Sequence, residues 1–96
     1  MKVRELLIDE SKWTRGSFAK DKTNTRSVEW DSPEAACFCL EGALIKCYPD
    51  LSELALVKYR LAQYLYSHYK IINIPSWNDY QATFEQVKEL INDLDI

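Results

Sequence analysis

The strongest constraint on fold lies between Asp31 and Pro49, a stretch with a helix start at one end, a helix stop at the other and little charge between them. In Asp31-Ser32-Pro33-Glu34, Ser32 can cap, Pro33 suits the first helical position and Glu34 faces the positive helix end. The stop comes at Tyr48, because a residue before proline is pushed out of helical geometry. Between these signals only Glu34, Glu41 and Lys46 interrupt Ala35-Ala36-Cys37-Phe38-Cys39-Leu40 and Gly42-Ala43-Leu44-Ile45. Glu34 and Glu41 lie seven apart and share one narrow stripe, so the segment reads as a central helix enclosed by its neighbours. Gly42 in its middle costs about 1 kcal/mol against Ala, which points to a neighbouring helix or aromatic ring pressed on bare backbone.

The rest of the chain is read around that helix. Only two Gly and three Pro occur in 96 residues, too few turn residues for a sandwich or barrel of many short strands. Val3, Leu6 and Leu7 recur at helical spacing and predict a first helix from about Lys2 to Glu10. Phe18-Ala19 and Val28 to Trp30 flank Asp21-Lys22-Thr23-Asn24, where Asn24 tolerates the left-handed backbone of a hairpin turn. Asp50 or Ser52 caps a third helix to about His68 or Tyr69, with Leu54, Val57, Leu61 and Leu65 on one face. Ile71 to Pro75 reads as an extended connection, Pro75 barring further helix there. Thr83 and Gln86 form a capping box for a fourth helix with Phe84, Val87, Ile91 and Leu94 as its apolar seam. The fold class is therefore mainly α: a compact bundle of about four helices in a single domain, residues 1–96. A short two-stranded β-ribbon is expected between the first and second helices.

Charge and cysteine usage narrow the function. Twelve Lys and Arg against 15 Asp and Glu give a net charge of -3, and the basic residues are scattered, so no nucleic-acid surface is expected. Lys2, Arg4, Glu5, Asp9 and Glu10 break up the first ten residues, unlike an export signal. Apolar runs stop at six residues, Ala35 to Leu40, far below the roughly 20 of a membrane span. Three cysteines, an odd number, then predict free thiols and a cytoplasmic protein.

Four stretches carry a family likeness: Trp13-Thr14-Arg15-Gly16, Cys39-Leu40-Glu41-Gly42-Ala43-Leu44, Trp77-Asn78-Asp79, and Thr83 leading into Val87. In them the chain resembles a family of small proteins of unknown function found in bacteria and their phages. The resemblance implies a helical fold and shared loop geometry, and brings no activity, substrate or cofactor with it. One departure is Asn24, where the ribbon turn of such proteins looks glycine-containing.

Among groups able to do chemistry, Cys37, Cys39, Cys47 and His68 come first. Residues two apart on a helix point about 200° away from each other, and Cys47 would sit about 12 Å beyond Cys39, so no metal site is expected. Cys39 reads as a small buried hydrophobe, and Cys37 as a thiol near the Glu34 and Glu41 stripe, blunted by a carboxylate. His68 closes the third helix, where it satisfies last-turn carbonyls. Trp77-Asn78-Asp79 places a large ring and two short polar side chains in a loop. The ring either stacks on a ligand or pins the loop on the Gly42 notch. Trp13 and Gly16 carry the same pair of readings. Tyr59, Tyr66 and Tyr69, with Trp30 and Tyr80, offer an aromatic face for a protein partner or a homodimer.

With no catalytic set, no metal and no cofactor, the expectation is a noncatalytic binding or regulatory module for an unknown protein or small ligand. Its candidate contact residues are Trp13, Gly16, Glu41, Trp77, Asn78 and Asp79. A phage-type counter-defence protein that sequesters a host protein or small signalling molecule is the second reading, and a cysteine-dependent enzyme the third.

Overall fold

A computed structural model describes residues Met1–Ile96. Its longest element follows directly from local chemistry. The Asp50 carboxylate accepts from the amides of Ser52 and Glu53, two of the unpaired donors of a helix start, and α3 runs Leu51–Tyr69. Val57, Leu61 and Leu65 line its buried face, and Lys70 ends it in the left-handed region at φ 59°. The capping box forms as read: Thr83 accepts from the Gln86 amide, Gln86 accepts from the Thr83 amide, and α5 spans Phe84–Leu94. The first helix is shorter than its periodicity predicts, with α1 at Val3–Leu6 followed by a 3-10 turn at Glu10–Lys12 under an Asp9 cap.

The central segment departs most from expectation. Its helix, α2, covers only Leu40–Cys47, with Cys39 as the N-cap. The start signal at Ser32 makes a single turn: the Ser32 hydroxyl accepts from the Glu34 amide and its carbonyl from the Ala35 amide. The chain then extends, because the Ala36 and Cys39 amides donate to the carbonyls of Lys20 and Phe18. Cys37–Phe38 becomes strand β3, paired with β1 at Ala19–Lys20, which pairs in turn with β2 at Ser27–Val28. The ribbon is thus a three-stranded antiparallel sheet in the order β2-β1-β3, with Ala19 between Val28 and Phe38. A continuous apolar run satisfies a buried strand as well as a buried helix, and sheet pairing decided between them. Asn24 turns the hairpin at φ 58°. Glu34 is therefore not on a helix with Glu41; it is exposed and paired with Arg26.

A fifth helix, α4, spans Ile74–Tyr80, where an extended connection and a loop were expected. Asn73 caps it by accepting from the Ser76 amide. Pro75 falls in the first turn, where the missing N–H has no partner to lose, so it starts this helix instead of barring it. The short α2 keeps a central place, touching α1, α3, α4 and β3. The fold is mainly α, and 19 buried apolar side chains from Val3 to Ile96 form one cluster. No helix is long and apolar enough to cross a membrane.

Candidate functional site

The structure gathers four of the six candidate residues at one place. The segment Trp13 to Gly16 lies against the start of α2 and the C-terminal half of α4, and Asn78 ties the three together. Its Oδ1 accepts from the Trp13 indole Nε1 at 2.7 Å and from the Leu40 amide at 3.0 Å. Its Nδ2 donates to the Thr14 carbonyl at 3.1 Å and to Asp79 Oδ1 at 2.9 Å. Two of these partners can only donate and two only accept, which fixes the orientation of the amide and uses its full capacity. Asp79 Oδ1 also accepts from the Gly16 amide at 2.9 Å, where Gly16 adopts φ 82°. Asn78 is 0% exposed and Trp13 5%, so that end of the network is interior, while Asp79 is half-buried and Gly16 exposed at its edge.

Arg15 closes this corner from outside. Its guanidinium donates to the Ala82 carbonyl at 2.6 Å and lies 4.4 Å from the Trp13 ring centre. Trp77 is 1% exposed, with its ring 5.3 Å from that of Tyr69, so it is a core side chain and offers no open face for stacking. The nearest cover over Gly42 is backbone. A Cβ at Gly42 would fall 2.0 Å from the Phe18 carbonyl oxygen, so the backbone entering β1 is what requires bare backbone there.

Beside the network is a cleft of about 290 Å³ lined by Gly16, Ser17, Phe18, Cys39, Pro75 and Asp79. Its apolar walls are the half-exposed Phe18 ring and Pro75. Its one charged group is the Asp79 carboxylate, whose Oδ2 accepts no hydrogen bond within the protein while Oδ1 accepts two; the Ser17 hydroxyl is hydrogen-bonded to that of Ser27. Glu41 is not part of this lining; it is 2.7 Å from Lys58 Nζ. Phe18 and Cys39 belong to the cleft for a reason hidden in the sequence, since strand pairing brings residue 18 to the start of α2.

The three thiols are free and fall on β3, at the cap of α2 and at its last residue. Cys39 Sγ accepts from the Gly42 amide at 3.2 Å as the helix cap, not as a mid-helix hydrophobe. Cys37 is buried, with its one S–H in reach of the carbonyls of Ser11 at 3.3 Å and Asp21 at 3.4 Å, so it neither reaches the surface nor lies on a stripe with Glu41. Burial is the main cause raising the pKa of Cys37, Cys39 and Cys47 above the ordinary thiol value. His68 Nδ1 lies 3.0 Å from the Tyr64 carbonyl and its ring stacks 3.8 Å from the Tyr64 ring. No three His, Cys, Asp or Glu side chains are grouped to hold a metal ion. Of the aromatic face, Tyr59 and Tyr66 are exposed together on α3, whereas Tyr69 and Trp30 are partly buried against the core.

The chain belongs to the family of unknown function DUF6197, which matches residues 1–94 and therefore includes every element described above. No curated protein and no solved structure matches it.

Proposed function

We propose that this protein is a noncatalytic binding module whose ligand seats in the cleft between Phe18 and Asp79. The observation that carries the reading is one side chain with two duties: Asp79 Oδ1 is held by the Gly16 amide and Asn78, while Oδ2 is left unpaired beside an apolar wall. A carboxylate fixed on one side and free on the other is a pre-oriented acceptor, which lowers the ordering cost of binding. The walls favour an apolar body, and a volume of about 290 Å³ limits the ligand to a few functional groups. The ligand class is therefore a small molecule with an ammonium or guanidinium group on a short apolar frame. Thiols whose pKa burial raises, and the engaged His68 ring, support a binding role over a cysteine-dependent reaction.

Thermal melting in the presence of tyramine, tryptamine and agmatine, with their carboxylate counterparts as controls, tests the reading. The amines are expected to raise Tm and the carboxylates to leave it unchanged. Asp79→Asn keeps an acceptor for Gly16 and Asn78 but replaces the free oxygen with a donor, so it should abolish the shift while the chain stays folded. Phe18→Ser should weaken it. Absence of any amine-dependent shift, or the same shift in Asp79→Asn, overturns the assignment.

A further inference from the structure

The outer face of α3 carries a size pattern that matches itself. Ala55, Tyr59, Ala62 and Tyr66 form one stripe at spacings of four, three and four residues, the repeat of a helix-pairing seam. They face away from the buried Val57, Leu61 and Leu65, and with Ile72 and Ile74 they line an open groove of about 670 Å³. Tyr59 is 56% exposed, Tyr66 58% and Ile72 69%, an apolar concentration the monomer leaves uncovered.

Small and large residues alternate along the stripe, and that order selects the occupant. Two copies in parallel would set Tyr against Tyr and Ala against Ala, leaving clashes and gaps in alternate layers. Two copies antiparallel, about a two-fold axis between Arg60 and Leu61, set Ala55 against Tyr66 and Tyr59 against Ala62 in every layer. An isologous contact requires that reciprocity. The same axis sets Lys58 opposite Gln63, and Lys58 is already neutralised by Glu41 on its own chain, so no like charges are left facing each other. It also carries Leu51, 80% exposed, toward the Lys70 and Ile72 end of the other copy.

We infer that the partner of this face is a second copy of the chain, joined through an antiparallel α3 pair. The inference is independent of the cleft reading, because the two surfaces share no residue. A seam of about three helical turns is small by the standards of permanent dimers, so a reversible dimer is expected, populated at about 100 µM and dissociating on dilution.

Sedimentation equilibrium across that range, on the full chain, tests it. Wild type should pass from monomer to dimer. Ala62→Glu places a carboxylate opposite Tyr59 and should remain monomeric throughout, and Ala55→Glu, at an exposed position, provides a second variant outside the core. Far-ultraviolet circular dichroism confirms that both are folded. A wild type that stays monomeric at about 100 µM, or a dimer unaffected by both substitutions, overturns the proposal.

Discussion

The Asn78 network and the outer face of α3 use the same residue types in opposite ways. Around Asn78, aromatic rings are core material: Trp13 and Trp77 are buried, and the one indole N–H brought into the network has an acceptor inside the protein. On the outer face of α3, Tyr59 and Tyr66 point outward, away from the buried Val57, Leu61 and Leu65. The difference teaches where aromatic content is structural in this protein. An aromatic ring whose polar atom is matched inside the protein holds elements together, and one whose ring stays in water is available to something else.

The contrast breaks most sharply at Asn78. Asn78→Ala strands the Trp13 indole N–H, the Leu40 amide and the Thr14 carbonyl in the interior, and is expected to cost about 4 kcal/mol or more in urea unfolding. That is a large share of the total stability of a domain this size. Asn78→Asp has the same shape but loses both donors and sets a carboxylate beside Asp79. It is expected to be destabilised at neutral pH and to recover in part on acidification, as protonation restores a donor and removes the added charge. Full stability in either variant would mean the network is incidental.

Gly42→Ala comes next. Its methyl group would meet the Phe18 backbone carbonyl, which cannot rotate away, so a loss of about 3 kcal/mol and a matching fall in Tm are expected. Tyr59→Ser should have the smallest effect, within about 0.5 kcal/mol when measured at concentrations where the chain is monomeric. A large loss there would show that the α3 face is also part of the core, and the comparison would fail.

What could be read from the sequence follows the range of the forces involved. The boundaries of α3 and α5 were legible because Asp50 and the Thr83 and Gln86 pair act within three residues of each helix start. The stretch Ala35 to Leu40 misled because its turn signal is real but its fate is settled by Lys20 and Phe18, some 16 to 21 residues earlier in the chain. α4 is hidden for a different reason: Pro75 reads as a breaker, when with the Asn73 cap it is a first-turn proline. Within the candidate site, Trp13, Gly16, Asn78 and Asp79 were found as motifs. Their mutual bonds were not, because hydrogen bonds spanning 63 to 65 residues leave no periodic trace.

The bond between Trp13 and Asn78 closes a loop of 65 residues. Helices α3 and α5 can form from neighbours along the chain, but this bond waits on a long closure whose entropic cost falls before its reward. During synthesis the indole of Trp13 therefore emerges long before the amide it needs, and Trp13 and Gly16 lack their Asn78 and Asp79 partners until α4 has left the ribosome. Refolding is accordingly expected to be slower than the helical content implies, with recovery of the Trp13 environment trailing the recovery of helix.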